Sequence, residues 1–222
     1  MTALLNWLHL ERETTTPLYQ QIADQARNES FSYEQYLAEL LKIECEARRQ
    51  NRIARNLRAS KLPPSKTFAN FDKKRLPAKV AAHLNVLTDG SFLKRCENIL
   101  AFGNPGSGKT HLLCALGQEL IHQGYRVLFK PCSVLVQELL IAQRDLKLPQ
   151  YLKKIGRNDA LIIDDIGYVQ QNRQEMEVLF TLLAERYERG SVMITSNLPF
   201  SKWEQIFKDP MTTAAAIDRL VH

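Results

Sequence analysis

Asn98-Ile99-Leu100-Ala101-Phe102-Gly103-Asn104-Pro105-Gly106-Ser107-Gly108-Lys109-Thr110 is the stretch that decides the fold. A short apolar strand, NILAF, runs straight into G-x-x-x-x-G-K-T, and an apolar helix over Lys109 to Gln123, stopped by Gly124, follows at once. In that context the glycines let the backbone curl with its N–H groups turned inward at phosphate oxygens. The helix N-terminus adds its positive end. Gly103, Asn104, Pro105, Gly106, Ser107, Gly108, Lys109 and Thr110 are thus the expected nucleotide-binding residues. Lys109 is assigned to the β- and γ-phosphates of ATP and Thr110 to Mg²⁺.

Outward from this loop the pattern alternates. Arg126 to Phe129 is a second strand, Ser133 is expected to cap a helix with Leu135, Leu139 and Ala142 on one face, and Ala160 to Ile163 is a third strand. Asn172 with Glu175 forms a capping box that opens a helix to about Arg189, ended by Gly190, and Val192 to Thr195 is the fourth strand. Strand–helix alternation predicts an α/β fold whose parallel sheet has helices on both faces.

Fifty-five residues beyond Lys109, ALIIDD brings Asp164 and Asp165 to the C-terminal end of the third strand, where open α/β sheets bind ligands. Asp164 suits the Mg²⁺ shell, since a hard cation prefers oxygen ligands. Asp165 could polarise an attacking water, or be a second acid that only tunes the field or caps a turn. Asn197, after the fourth strand, could orient that water. The alternative is a turn into the next helix, for which Ser201 and Glu204 offer a further capping box.

The front third reads as helical. Thr16-Pro17 offers a start with Leu18, Ile22 and Ala26 at four-residue spacing, and Ser32 with Gln35 is a capping box opening a helix to about Ala59. Pro63 and Pro64 then forbid helix, so 60–75 reads as a linker between a helical region, 1–59, and an ATPase domain, 76–222.

The net charge of +6 is unevenly spread: Lys42 to Arg75 holds eleven basic residues against three acids, a surplus of +8, leaving the rest of the chain at −2. Arg48, Arg52 and Arg55 share a helical face with Arg49 and Arg58 beside it, a spacing that lets guanidinium groups follow successive phosphates of DNA. A solvated charged helix would look the same. No zinc-finger spacing or helix-turn-helix signal promises base readout, so contact with duplex DNA is expected mainly at the backbone. Four scattered cysteines, no apolar run of membrane length and no secretory leader at the N-terminus point to a reduced, cytoplasmic protein without a membrane partner.

Taken together, GNPGSGKTHL, ALIIDDIGY and ITSNLPFSKWEQIF resemble the IstB-like transposition helper ATPases, relatives of the DnaC-type helicase loaders within the AAA+ class. FSYEQYLAELLKIECEARRQNRIAR and the closing AAAIDRLVH extend the resemblance over nearly the whole chain. It implies a P-loop AAA+ sheet of order 5-1-4-3-2 behind a helical N-terminal domain, with Lys109 and Thr110 as Walker A, Asp164 and Asp165 as Walker B, and Asn197 as sensor 1. Aspartate at 165 departs from the glutamate of many AAA+ proteins. Arg219 falls where an arginine finger would reach a neighbouring subunit's nucleotide, although a surface arginine would fit that place equally. The family continues beyond the position of His222 into a fifth strand, so a chain truncated at its C-terminal end is expected. The resemblance further implies a Mg²⁺-dependent ATPase that forms a homo-oligomer in its ATP state on duplex DNA and helps a transposase at target DNA. A loader of a replicative helicase is the alternative. A small-molecule kinase using the same loop would have no use for the arginine-rich helix.

Overall fold

The computed structural model describes residues 15–72, 76–167 and 172–221. The reading of the first thirteen residues as lacking a leader, and the charges of Lys73, Lys74 and Arg75, lie outside these. The chain divides into two compact units, Met1–Arg52 and Ile53–His222.

In the first unit, helix α1 spans Thr15–Asn28 and helix α2 begins at Tyr33. The Ser32 capping box forms: Ser32 N donates to Gln35 Oε1 at 2.8 Å and Gln35 N to Ser32 Oγ at 3.2 Å. Two otherwise orphaned donors are satisfied reciprocally, which fixes where α2 starts. Helix α2 runs to Ser60, and its last turns belong to the second unit. The boundary thus falls inside the helix, at Arg52/Ile53, and not at its end. Apolar burial explains this, because Ile53 is 5% exposed within the second unit's core and Leu57 packs against it.

The second unit continues with α3 (Ala78–Thr88), α4 (Ser91–Lys94), β1 (Ile99–Phe102), α5 (Lys109–His122), β2 (Val127–Pro131), α6 (Cys132–Arg144), α7 (Leu148–Ile155), β3 (Ala160–Ile166), α8 (Arg173–Arg186), β4 (Ser191–Ser196), α9 (Glu204–Phe207) and α10 (Pro210–Val221). The four strands are parallel, in the order β1-β4-β3-β2. A fifth strand is not among the described residues.

Alternation along β3 sorts the core onto two faces. Ala160 and Ile162 join Leu113, Leu116, Leu120 and Met193 under α5, whereas Leu161, Ile163 and Ile166 join Leu135, Leu139, Leu179 and Trp203 under α6 and α8. Each such leucine or isoleucine, fully buried, contributes about 1.5–3 kcal/mol of transfer free energy. The core therefore holds the C-terminal ends of β1, β3 and β4 at one edge of the sheet.

Several local expectations are corrected. Ser133 caps nothing: α6 starts at Cys132 after Pro131, with no side-chain cap bond. The proline supplies a fixed φ of −58° that leads into the first turn. Helix α8 keeps its Asn172/Glu175 box but ends at Arg186, short of Arg189, because Tyr187 turns out of helix at ψ 126° and Glu188 adopts φ 57°. Ser201 and Glu204 make no capping box. A 3₁₀ turn over Phe200–Lys202 intervenes, and Trp203, buried completely, occupies the cap position of α9.

At the sheet edge opposite the P-loop, Arg186 is 3% exposed and donates to the carbonyls of Ile155, Asn158, Asp159 and Ser191 at 2.9–3.4 Å. Burial pulls its guanidinium down to about 10, so it stays charged at neutral pH. Gly190 lies beside it, where an added Cβ would stand 2.5 Å from Nη2. Lys130, Glu138 and Tyr151 knit β2, α6 and α7 together: Lys130 Nζ lies 2.6 and 2.7 Å from the two Glu138 oxygens, and Tyr151 OH donates to Glu138 Oε2. Among the described residues no helix is long and apolar enough to cross a membrane.

Candidate functional site

Gly106 and Gly108 sit at φ 76° and 90°, left-handed backbone that a side chain would strain. Gly108 is the N-cap of α5 and offers no side-chain cap, so the first N–H groups of that helix stay open toward the loop. An anion is the partner such a terminus favours. Lys109 folds back across the loop, donating to Gly103 O at 2.7 Å and Asn104 O at 2.9 Å.

The other half of the site comes from β3 and β4. Ile163 pairs with Ile194 and Ile166 with Ser196, so β3 holds an irregularity at Asp164-Asp165. Such a bulge re-aims side chains next to functional sites. Asp165 there adopts φ 59°, a conformation that costs a non-glycine residue free energy. Thr195, fully buried on β4, holds it: its Oγ accepts from Asp165 N at 2.8 Å and donates to Asp164 Oδ1 at 2.7 Å. Burial, then the charge of Asp164, pushes the Asp165 carboxyl above the ordinary range, against the pull of Lys109 and Lys66.

A cleft of about 410 Å³ collects these groups: Pro105, Gly106, Gly108, Lys109, Thr110, Asp165 and Asn197 line it together with Lys66 and His111. Asn197 leaves β4 on a turn fixed by Ser196, whose Oγ accepts from Leu198 N at 3.1 Å and lies 2.9 Å from Leu198 O. It is thus at once a turn residue and a cleft residue. Gly103 and Ser107 line an adjoining cavity of about 640 Å³ with Leu84, Ala101, Phe102 and Leu112. A third cavity, about 720 Å³ between α7 and the end of α8, is lined by none of the expected site residues.

The remaining expected residues lie elsewhere. Arg219 is not in the cleft of its own chain: its guanidinium stacks 4.7 Å over the Phe180 ring and donates to Ala215 O at 2.8 Å. Arg48, Arg49, Arg52, Arg55 and Arg58 are all exposed on α2, with Arg48 paired to Glu44 at 2.6 Å and Arg49 to Glu46 at 3.9 Å.

Sequence reasoning passed over Thr195, Lys66 and His111. Thr195 was visible only as one of three polar residues closing β4. Lys66 belongs to a segment read as linker, which in fact is fastened down by α5: Gln118 Nε2 donates to Pro63 O and Lys66 O, and His111 Nε2 lies 2.9 Å from Thr67 O.

A glycine loop at a helix N-terminus, a lysine across it and two carboxylates at the end of the neighbouring strand but one define a P-loop nucleotide-binding protein with the AAA+ fold. The chain belongs to the IstB-like ATP binding protein family, which it matches over residues 3–222. It is 42% identical over 220 residues to an insertion sequence ATP-binding protein of Sinorhizobium fredii, spanning 99% of this chain and 73% of that one. An IS21 ATP-binding protein of Pseudomonas aeruginosa is 35% identical over 90% of this chain and 76% of its own length. Among solved structures, the DnaC helicase loader superposes with a TM-score of 0.56 at 18% identity, covering 65% of this chain and 86% of that one, a likeness of fold.

Proposed function

We propose that this chain is a Mg²⁺-dependent AAA+ ATPase that assembles as a homo-oligomer on duplex DNA in the cytoplasm and helps a transposase select or act at its target. The observation that carries the ATPase reading is the single cleft shared by Lys109, Thr110, Asp165 and Asn197, with Asp164 tied to the same strand end through Thr195. The insertion-sequence context of its relatives supports the transposase.

In this reading the open N–H groups of α5 and the loop backbone receive the phosphates, and Lys109 exchanges its loop carbonyls for the β- and γ-oxygens. The apolar cavity beside Ala101 and Leu112 takes the base. The Thr110 hydroxyl and the Asp164 oxygen left free by Thr195 are hard oxygen donors, which fits Mg²⁺, directly or through water. When bound, the ion supplies charge neutralisation between phosphate oxygens. Asp165 and Asn197 hold and polarise the attacking water, and Arg219 of a neighbouring protomer, released from Phe180, stabilises charge developing on the γ-phosphate. The exposed arginines of α2 follow the DNA backbone.

ATP turnover with and without duplex DNA, beside Lys109→Ala, tests this. The parent is expected to hydrolyse ATP at a rate that DNA alters, and the variant to lose ATP affinity at least about tenfold. Unchanged ATP binding in Lys109→Ala sinks the reading. Capture of a replicative helicase instead of a transposase would replace the partner and leave the ATPase intact.

A further inference from the structure

We propose that Lys66 is a second cationic ligand of the nucleotide's terminal phosphates, brought to the P-loop cleft by the segment that follows α2. The inference rests on reading that cleft as the ATP site.

Its first support is position. Lys66 lines the cleft with Lys109, Thr110, Asp165 and Asn197, although it precedes the P-loop by some forty residues and comes from a different part of the chain. Asp165, in the lining of the same cleft, is the residue to which the proposed function gives the attacking water. Lys109 approaches from the loop itself, along the carbonyls of Gly103 and Asn104. A triphosphate carries more negative charge than one lysine offsets, so a second ammonium from another direction has a chemical task there.

The second support is how the segment is held. Ser60 ends α2, with its Oγ donating to Leu57 O at 2.7 Å and accepting from Leu62 N at 3.2 Å, and Lys61 turns the chain at φ 61°. Leu62 is then 7% exposed in the core. Gln118, on α5, clamps the Pro63 and Lys66 carbonyls at 3.0 and 3.1 Å. Phe71 closes the segment, edge-on to His111 at 5.1 Å and against Gly108, where an added Cβ would lie 3.3 Å from its ring. Every one of these fastenings uses backbone or a side chain other than that of Lys66. The docking leaves the lysine side chain out of these fastenings and sets the residue in the lining of the phosphate cleft.

Binding of ATP and of ADP to the full chain, by calorimetry, tests the assignment in Lys66→Ala, Lys66→Gln and Lys66→Arg beside Lys109→Ala. Removing the charge is expected to weaken ATP about tenfold and ADP less than about threefold, since the contact is to the terminal phosphate. Lys66→Arg should recover most of the ATP affinity, and thermal unfolding of all three should match the parent because the segment is held by its backbone. Parent-like ATP affinity in folded Lys66→Ala or Lys66→Gln, with Lys109→Ala impaired, overturns the inference and spares the nucleotide reading. So does an equal loss of ATP and ADP, which would make Lys66 a general support of the cleft. If Lys109→Ala also binds ATP normally, both readings fall together.

Discussion

Thr195 holds Asp164: its hydroxyl, at the end of β4, donates to Asp164 Oδ1 on β3 at 2.7 Å and accepts from the next backbone N–H at 2.8 Å. One buried hydroxyl thus sets both the free oxygen of Asp164 and the left-handed backbone of Asp165.

Thr195→Val keeps the shape and deletes the hydroxyl. The Asp165 N–H is left without its acceptor, a loss of about 1–3 kcal/mol in stability. Turnover should fall at least about tenfold while ATP affinity changes by less than about threefold, because the misplaced group acts in the transition state. Thr195→Ser should restore much of the rate. Steady-state ATPase kinetics with calorimetric ATP binding check both halves.

Asp165→Asn removes the carboxylate while leaving the backbone bond to Thr195 available. ATP binding is expected to stay near the parent value and hydrolysis to slow at least about 100-fold. Near-parent turnover would reduce Asp165 to a structural acid at a bulge.

Glu138 gives the structure a pH dependence of defined sign. Burial opposes its ionisation, but hydrogen bonds from Lys130 and Tyr151, with the charges of Lys130 and Lys154, outweigh that and hold its carboxyl below the usual value of 4.5. A group lowered on folding contributes stability that is present above its unfolded pKa and fades as pH falls through the folded one. Urea unfolding of the parent should therefore lose stability as the pH drops below about 4.5, and Glu138→Gln should flatten that loss while costing about 1–3 kcal/mol at neutral pH. An acid limb of unchanged steepness in the variant would assign it to other carboxylates.

Much of this architecture could be read beforehand because its signals are local. A glycine loop between a strand and a helix, or a serine three residues before a glutamine, owes its meaning to backbone geometry within a few residues. What escaped depends on distant partners. Nothing near Ser60 to Phe71 announces that Gln118 and His111 will grip its carbonyls, so two prolines read as a linker. Helices α3 and α7 were not foreseen, since both start at or beside a proline without a side-chain cap, and α7 is only eight residues long. The Asp165 conformation follows from a register shift against β4, which only the assembled sheet defines.

Arg48, Arg52 and Arg55 offer the test of DNA contact. If they track phosphates, the logarithm of duplex affinity should fall linearly with that of salt, and replacing all three with alanine should flatten the slope by up to about three units with ATP binding intact. Fluorescence anisotropy over a salt series measures this. A parent-like slope would move the DNA interface elsewhere on the chain.

The Arg186 guanidinium fills the space beside Gly190 and gathers four carbonyls, from the end of α7, the turn that follows it and the start of β4. A side chain at 190 would evict it, and the stranded carbonyls would cost more than the lost contact alone. A shorter residue at 186 would free the space that forbids a side chain at 190. In descent the two positions are therefore expected to constrain one another, a side chain at 190 being better tolerated where a shorter residue has replaced the arginine at 186.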